Sequence, residues 1–202
     1  MGTTMSDSPR TTGRGAAARR RKPMAAASES TPLPLPPLDA VTRLHTEVDR
    51  ETDRLRVVHA ARLQCRKGCS GCCTDGLTAF EIEAERIRRN HAELLSRDTP
   101  HPPGGCAFLD EAGGCRIYAD RPYVCRTQGL PLRWIGSGPD GEPAELRDIC
   151  PLNEAGPSLE TLPPNACWEI GPVESRLAEL QAELDGGELR RVSLRSLFRH
   201  PE

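Results

Sequence analysis

The chain has 202 residues, of which 37% are hydrophobic and only 3% aromatic, and its formal net charge is −2. This length predicts one domain with tails, and the low net charge does not favour nucleic acid as a partner. No stretch has the length and apolarity of a transmembrane helix, and no apolar signal region follows the basic run RRRK at 19–22, so the sequence predicts a cytoplasmic protein without a membrane partner.

The first 37 residues differ in amino-acid composition from the rest of the chain. Residues 1–37 are rich in Ala, Arg, Pro, Ser and Thr, and they end in a proline-rich run. Such a segment contains too little apolar surface to offset the entropy of ordering, so we expect a disordered arm. Its basic residues suit an anionic partner, although a solvated arm is the simpler interpretation. We expect residues 38–187 to form one folded domain. Residues 188–202 form a tail without a clear helix or strand pattern.

A first helix is predicted from Asp39, a residue that suits the N-cap position. Apolar residues recur along it at helical intervals, at Val41, Leu44, Val48, Leu55, Val58 and Leu63. His45 and His59 lie on this helix, and we expect each to be a surface or packing residue rather than a metal ligand. The helix leads the chain into a run of cysteines.

A second helix is predicted in LTAFEIEAERIRRNHAELL, directly after that run. Thr78 and Glu81 have the spacing of a capping box, and Leu77 with Ile82 fits a hydrophobic staple. The buried face of the helix is expected to contain Ile82, Ile87, Leu94 and Leu95.

The remaining pattern predicts two β-hairpins and a last helix. CAFL and CRIY flank DEAGG within 106–118, and LPLRWIGSGPDGEPAELRDIC contains a second hairpin that ends at Cys150. The last helix begins at Pro172 and ends at Gly186-Gly187. The predicted fold class is therefore a small α+β domain, with helices flanking a cysteine-rich loop, short β-hairpins and a metal that staples them.

The chain contains nine cysteines, four of them in the run CRKGCSGCC at 65–73. In a cytosol that keeps thiols reduced, clustered cysteines bind metal more often than they form disulfides, and an odd count fits a disulfide scaffold poorly. Adjacent side chains point apart in a helix or a strand. Cys72 and Cys73 therefore should not both serve one tetrahedral site, and either two centres or one free thiol would result. Further ligands must come from the downstream cysteines.

The identity of the metal stays open between zinc and iron. Cys69 and Cys72 have the two-residue spacing of zinc sites, whereas Cys65, Cys69 and Cys72 together place three thiols in one loop, as in a cubane iron–sulfur site. The loop also matches the spacing of radical S-adenosylmethionine enzymes, but the succession of βα units that they need is missing. Arginines that follow cysteines, Arg66, Arg116 and Arg126, either compensate thiolate charge or stand there by chance.

Two blocks of the chain resemble the YkgJ-type cysteine cluster proteins, described as zinc- or iron-chelating domains. The first block is CRKGCSGCC with the helix after it, and the second is CAFLDEAGGCRIYADRPYVCR; DICPLN at 148–153 looks like the end of the domain. The resemblance covers about 60–155. The chain departs from the family pattern C-x2-C-x2-C-C in one place, because three residues separate Cys65 from Cys69.

The resemblance implies eight metal ligands: Cys65, Cys69, Cys72, Cys73, Cys106, Cys115, Cys125 and Cys150. Cys167 lies outside the blocks and is expected to be a spare thiol. The sequence thus predicts a cytoplasmic metal-binding protein that holds an iron–sulfur cluster or zinc, with iron–sulfur favoured. One alternative is an iron–sulfur-dependent oxidoreductase or group-transfer enzyme that uses a free thiol at Cys73 or Cys167, since a flagellin lysine methylase has a similar cysteine cluster. Another is an interaction module stapled by zinc.

Overall fold

The structure is a computed structural model that describes residues 35–198, with side chains from residue 37 onward. The described residues form five α-helices and five short strands, which confirms the predicted mixed α+β class. The predicted disordered arm lies outside the described residues over 1–34. Within 35–198, none of the helices combines the length and apolarity that crossing a bilayer requires.

Helix α1 (Leu35–Val58) begins four residues before the predicted N-cap at Asp39. Prolines are tolerated in the first turn of a helix, because the N–H groups there have no partner within the helix. Of the predicted apolar positions, Val41, Val48 and Leu55 are buried and Leu44 is half-buried, whereas Val58, the last residue of the helix, is exposed. His45 and His59 are both buried, and both are packing residues.

The predicted capping box at Thr78 is wrong, because the chain uses Thr78 in a strand. Strand β1 (Thr78–Phe80) pairs antiparallel with β5 (Arg191–Ser193), a segment in which the sequence showed no clear pattern. Helix α2 (Glu81–Asn90) then begins at Glu81, and α3 (Ala92–Arg97) follows it after a break at His91. The predicted helix thus exists as two pieces, and long-range strand pairing overrides its local start signal.

The first predicted hairpin is reduced to a single bridge between Leu109 and Cys115. The side chain of Asp110 stabilises the turn, because its Oδ1 accepts hydrogen bonds from the backbone N–H groups of Ala112 at 2.9 Å and Gly114 at 2.6 Å. A short 3-10 turn (Tyr118–Asp120) and the helix α4 (Tyr123–Arg126) follow. This segment is held by side chains and turns rather than by a strand ladder.

The second predicted hairpin is confirmed. Strands β2 (Leu132–Ser137) and β3 (Pro143–Asp148) pair antiparallel, and β4 (Trp168–Glu169) adds a parallel strand at the other edge of β2. Helix α5 (Pro172–Asp185) also follows the prediction. It begins at Pro172 and is followed by Gly186 in the left-handed conformation with φ 69°, which favours glycine.

The buried apolar residues form two clusters. The cysteine-side cluster contains Ala79, Ala84, Ile87, Leu95, Cys106, Ala107, Phe108, Leu109, Ile117, Leu194, Leu197 and Phe198, with Cys73 and Cys115 packed against it. The helix-side cluster contains Leu38, Val41, Val48, Leu55, Phe80, Ile82, Tyr123, Leu130, Trp168 and Leu177. Helix α2 contributes to both clusters, with Ile87 in the first and Ile82 in the second, so it joins them.

A buried carboxylate, that of Glu83, ties the helix side together. Its Oε1 accepts hydrogen bonds from His45 Nε2 at 3.0 Å and from the Tyr123 backbone N–H at 2.8 Å, and its Oε2 accepts the Phe80 N–H at 3.3 Å. These donors come from α1, α4 and the end of β1. One side chain of α2 thus satisfies three groups that would otherwise be buried without partners.

Candidate metal centre

The cysteine run lies in an irregular loop between α1 and β1. Gly68 adopts a φ of 85°, and a Cβ added to it would lie 3.2 Å from the carbonyl oxygen of Ala112. A Cβ added to Gly113 would likewise lie 3.1 Å from the carbonyl oxygen of Gly68. The loop therefore packs closely against the 110–114 turn, and the two cysteine blocks of the sequence meet there.

The structure brings Cys72, Cys73, Cys106, Cys115 and Cys125 into one electrostatic neighbourhood. The backbone N–H of Cys106 donates to the carbonyl of Cys73 at 2.8 Å, which joins the two blocks directly. The thiol groups of Cys106 and Cys125 help to raise the pKa of Cys73. Three segments that are distant in sequence therefore present thiols to one another.

The thiols of the adjacent residues Cys72 and Cys73 affect each other's ionisation. The Cys73 thiol donates a hydrogen bond to the Cys72 sulfur, which lowers the pKa of Cys72 to about 6. The same hydrogen bond is the main cause of a raised pKa at Cys73. These residues lie in a turn closed by the Cys73 N–H and the Ser70 carbonyl at 2.9 Å, outside the helix and strand geometry on which the expectation about adjacent cysteines was based.

Burial opposes ionisation at the other thiols of this group. Desolvation, helped by Cys106, Cys115 and Cys72, raises the pKa of Cys125 to about 12. Burial also raises the pKa of Cys106 and of Cys115. In the absence of a cation these thiols therefore stay protonated at neutral pH, and a bound metal ion would supply the charge that favours their thiolate form.

Cys65 and Cys150 lie at a second position, which is organised by Asn153. The Nδ2 of Asn153 donates to the Cys65 sulfur at 3.4 Å, and its backbone N–H donates to the Cys150 carbonyl at 2.7 Å. Cys69 is half-buried and directly follows Gly68 in the loop that contacts the 110–114 turn. Of the expected ligands, these three are not among the thiols that act on one another electrostatically in the group of five.

Cys167, the expected spare thiol, is buried beside the three-stranded sheet. Burial raises its pKa, and the charged groups that act on it include Arg147, Arg133 and Glu145 of β2 and β3. Its surroundings are therefore those of a core cysteine next to surface ion pairs, and they differ from those of the thiol group around Cys125.

The donor chemistry of the site fits zinc or iron, although the side chains are not at ligand spacing. Among residues 35–198, no set of three or more His, Cys, Asp or Glu side chains stands close enough to hold a metal ion. Thiolates are soft ligands that suit both zinc and iron–sulfur clusters. Ligation would need rotations of the cysteine side chains and shifts of the 65–73 loop, which lacks helix or strand hydrogen bonds that would resist them.

Two of the arginines that follow cysteines anchor backbone. Arg126, which is 1% exposed, donates from Nη1 to Asp49 at 2.5 Å and from Nη2 to the Ala119 carbonyl at 3.0 Å. Arg116 donates from Nη2 to the Ala107 carbonyl at 2.8 Å, and it also lowers the pKa of Cys106 and Cys115 as a minor influence. Charge compensation at Arg116 is therefore secondary to its role in holding the loop.

Sequence reasoning missed Arg195, which lies in the unpatterned tail. Its Nε donates to Asp75 at 2.8 Å, and Nη1 and Nη2 donate to the carbonyls of His101 at 2.6 Å and Gly105 at 2.8 Å. The segment just before Cys106 is thus held by the C-terminal part of the chain. No local pattern could have revealed this contact, because its partners lie about a hundred positions away.

Residues 64–150 match the sequence model of the CxxCxxCC family, whose description is "Putative zinc- or iron-chelating domain". The matched range includes the eight cysteines that the resemblance implied as ligands, and it excludes Cys167. Comparison with curated proteins gave no match, and comparison with solved structures gave none either. The resemblance noted in the two cysteine blocks is therefore confirmed, since the model of the CxxCxxCC family matches residues 64–150.

Proposed function

We propose that this chain is a cytoplasmic metal-binding protein that holds an iron–sulfur cluster, in preference to zinc, through clustered cysteine thiolates. The observation that carries the proposal is the group of five thiols, Cys72, Cys73, Cys106, Cys115 and Cys125, which come from separate segments and act on one another electrostatically. A packed core has no need of five thiols from several segments in one neighbourhood, whereas a thiolate-bound metal does.

The electrostatics of the group support a bound cation. The buried thiols resist ionisation, and a cluster of thiolates without a counter-charge would be unfavourable in such surroundings. A metal centre resolves this conflict, since metal binding replaces the thiol protons. An iron–sulfur cluster would supply one-electron chemistry, whereas zinc would supply a cross-link.

The proposed ligand set contains the eight cysteines of the matched domain. Cys72, Cys73, Cys106, Cys115 and Cys125 form one part of the site, and Cys65, Cys69 and Cys150 form the other. The preference for iron–sulfur rests on Cys65, Cys69 and Cys72, three thiols within one loop. Eight cysteines are enough either for one metal centre with alternative ligands or for two metal centres.

An enzymatic role receives less support. It requires a reactive free thiol at Cys73 or Cys167, but the pKa of each is raised, by the hydrogen bond to Cys72 in the first case and by burial in the second. Reactive cysteines have lowered pKa values and partial exposure, a combination that Cys72 has but that Cys73 and Cys167, the thiols expected to act, do not have. The metal-binding function therefore remains the one proposed.

The test is to purify the protein without oxygen and to measure iron, zinc, acid-labile sulfide and the visible absorption spectrum. Iron with sulfide and a broad visible absorption is the expected result. Zinc without sulfide or colour would keep metal binding and reject the iron–sulfur preference. Protein that is folded by circular dichroism yet contains neither metal would overturn the proposal. Cys125→Ser should lower the metal content, and Cys167→Ser is the matched control that should not.

A further inference from the structure

Asn153 is a fully buried amide at the end of the 3-10 turn that follows Cys150. Its Oδ1 accepts the backbone N–H of Gln64 at 2.7 Å. Its Nδ2 donates to the carbonyl of Gly129 at 2.7 Å and to the sulfur of Cys65 at 3.4 Å. Both ends of the amide are therefore in use, as a buried polar group requires.

These partners belong to three segments that each carry a proposed metal ligand. Gln64 directly precedes Cys65, Gly129 follows Cys125 by one helical turn, and Asn153 itself lies in the turn that begins at Cys150. A single side chain thus links the Cys65, Cys125 and Cys150 segments, which the sequence separates widely.

The orientation of the amide is fixed by its two backbone partners. If the amide were flipped, its NH2 would face the N–H of Gln64 and its oxygen would face the carbonyl of Gly129, so two hydrogen bonds would become repulsive contacts. The observed orientation is therefore the stable one. It directs an N–H group toward the sulfur of Cys65.

Gly129 completes a niche for the Cys65 sulfur. Its φ is 88°, and a Cβ at this position would lie only 2.6 Å from the Cys65 sulfur and 3.2 Å from Asn153 Nδ2. The sulfur therefore occupies space that any larger residue at position 129 would take. Cys65 is held by a glycine on one side and by an amide donor on the other.

We propose that Asn153 is a positioning residue for the metal site, which fixes the Cys65 sulfur in this niche and donates an N–H···S hydrogen bond to its thiolate. The inference rests on the proposed function and deepens it. Hydrogen bonds to ligating sulfurs tune metal centres, and residues that orient ligands contribute to affinity nearly as ligands do.

The test is an anaerobic titration of the reduced, metal-free full-length protein with Co²⁺ and with Zn²⁺. Asn153→Asp keeps the size of the side chain and the acceptor for Gln64, but it removes the N–H donor. We expect metal affinity to fall by about 10- to 100-fold, the usual effect of losing a residue that orients a ligand. Asn165→Asp is the matched control, since Asn165 is exposed and the same change there should leave affinity unchanged.

The titrations are repeated in a Cys65→Ala background to separate positioning from a general structural effect. If Asn153 acts through Cys65, Asn153→Asp should cost little further affinity once the sulfur is gone, whereas an equal fold-loss in both backgrounds would overturn the inference. Should Asn153→Asp fail to fold, Gly129→Ala takes its place, because its Cβ would crowd both the Cys65 sulfur and Asn153 Nδ2 and so disturb the same contact. Wild-type protein that binds neither metal would overturn the inference, whereas the proposed function is decided by the iron, zinc and sulfide content of the anaerobically purified protein. Wild-type binding with equal losses in both backgrounds would overturn the inference alone.

Discussion

The two apolar clusters of the molecule differ in the backbone structure of the segments that form them. The helix-side cluster packs regular helices and strands around Glu83, whose hydrogen bonds hold α1, β1 and α4. The cysteine-side cluster shares β1 and α2 with it, but the part that carries the cysteines consists of turns and an isolated bridge, and cysteines themselves are members of it. The helix side therefore satisfies its backbone internally, while the cysteine side depends on side-chain contacts and on the chemistry of its thiols.

This difference assigns the two regions different roles. Backbone that is paired in regular elements keeps its shape without a ligand, so the helix side serves as a scaffold. Irregular backbone with few ladder hydrogen bonds opens more easily, and it can adjust when thiols move to ligand spacing. Four predictions test this division, beginning with the largest expected effect.

Replacing Glu83 with Ala should destabilise the scaffold most. The change leaves the N–H groups of Phe80 and Tyr123 and the ring of His45 without an acceptor, so we expect a loss of about 3–5 kcal/mol in the free energy of unfolding. Urea unfolding of the metal-free protein measures it. The matched control is Glu93→Ala, which breaks an exposed ion pair with Arg97 and should cost less than about 1 kcal/mol. Equal effects of the two variants would contradict the role of Glu83.

Replacing Phe198 with Ala should weaken the cysteine side. The ring lies 5.0 Å from that of Phe108 and under the guanidinium of Arg116, although it belongs to the tail beyond the matched domain. We expect a loss of about 3 kcal/mol, the low end for truncating a buried Phe. The control is Ile135→Ala at a position that is 67% exposed. A Phe198→Ala protein with unchanged unfolding would show that the tail is not part of this core.

The helix side should lose stability as pH falls below 6.5, because of His45. Burial lowers the pKa of this ring in the folded protein, and the contacts agree, since Arg86 Nη1 donates to its Nδ1 while its Nε2 faces Glu83. The unfolded chain therefore binds a proton that the folded protein does not. Stability that is present above pH 6.5 decreases at lower pH with a slope of up to about 1.4 kcal/mol per pH unit.

Unfolding measured from pH 7.5 to pH 5 should therefore be less pH-dependent in His45→Gln than in wild type. His101→Gln is the control, and it should keep the wild-type dependence. An unchanged slope in His45→Gln would show that the ring titrates equally in the folded and unfolded protein.

The smallest effect is expected for Cys167→Ser. The thiol is buried near Arg147 and Arg133 rather than within the group of five, so the substitution should cost about 1 kcal/mol for burying a hydroxyl and should leave the metal content unchanged. Metal analysis beside urea unfolding checks both parts. A loss of metal in this variant would place Cys167 in the ligand set and would weaken the distinction between the two regions.

Local pattern predicted the elements that local interactions stabilise. The β2–β3 hairpin and α5 were predicted correctly, because turn residues, Pro172 and Gly186 act within a few positions of where they lie. The start of α2 was not, because pairing of β1 with β5 commits Thr78 to a strand. A capping signal of about 1 kcal/mol does not compete with a strand pair that also completes a core.

The site was predictable as a set of cysteines but not as a geometry. The residue types and their family pattern identified the eight thiols, since the type of metal ligand depends on the side chain alone. The hydrogen bond between Cys72 and Cys73 depends on a turn that no periodicity describes. Asn153 is the last residue of the segment DICPLN at 148–153. Its proposed role follows only from the hydrogen bonds that its amide makes with Gln64, Gly129 and Cys65.

The sequence by itself determined the fold class, the later hairpin and helix, and the chemistry of the proposed site, because composition, turn residues and thiols are local properties. Only the tertiary structure decided that the unpatterned tail completes the cysteine side, that Glu83 and Arg126 are buried anchors, and that Cys65 rests against Asn153. Each of these depends on contacts between residues far apart in the chain. Such contacts form because burial favours hydrogen bonds between polar groups that the folded chain brings together.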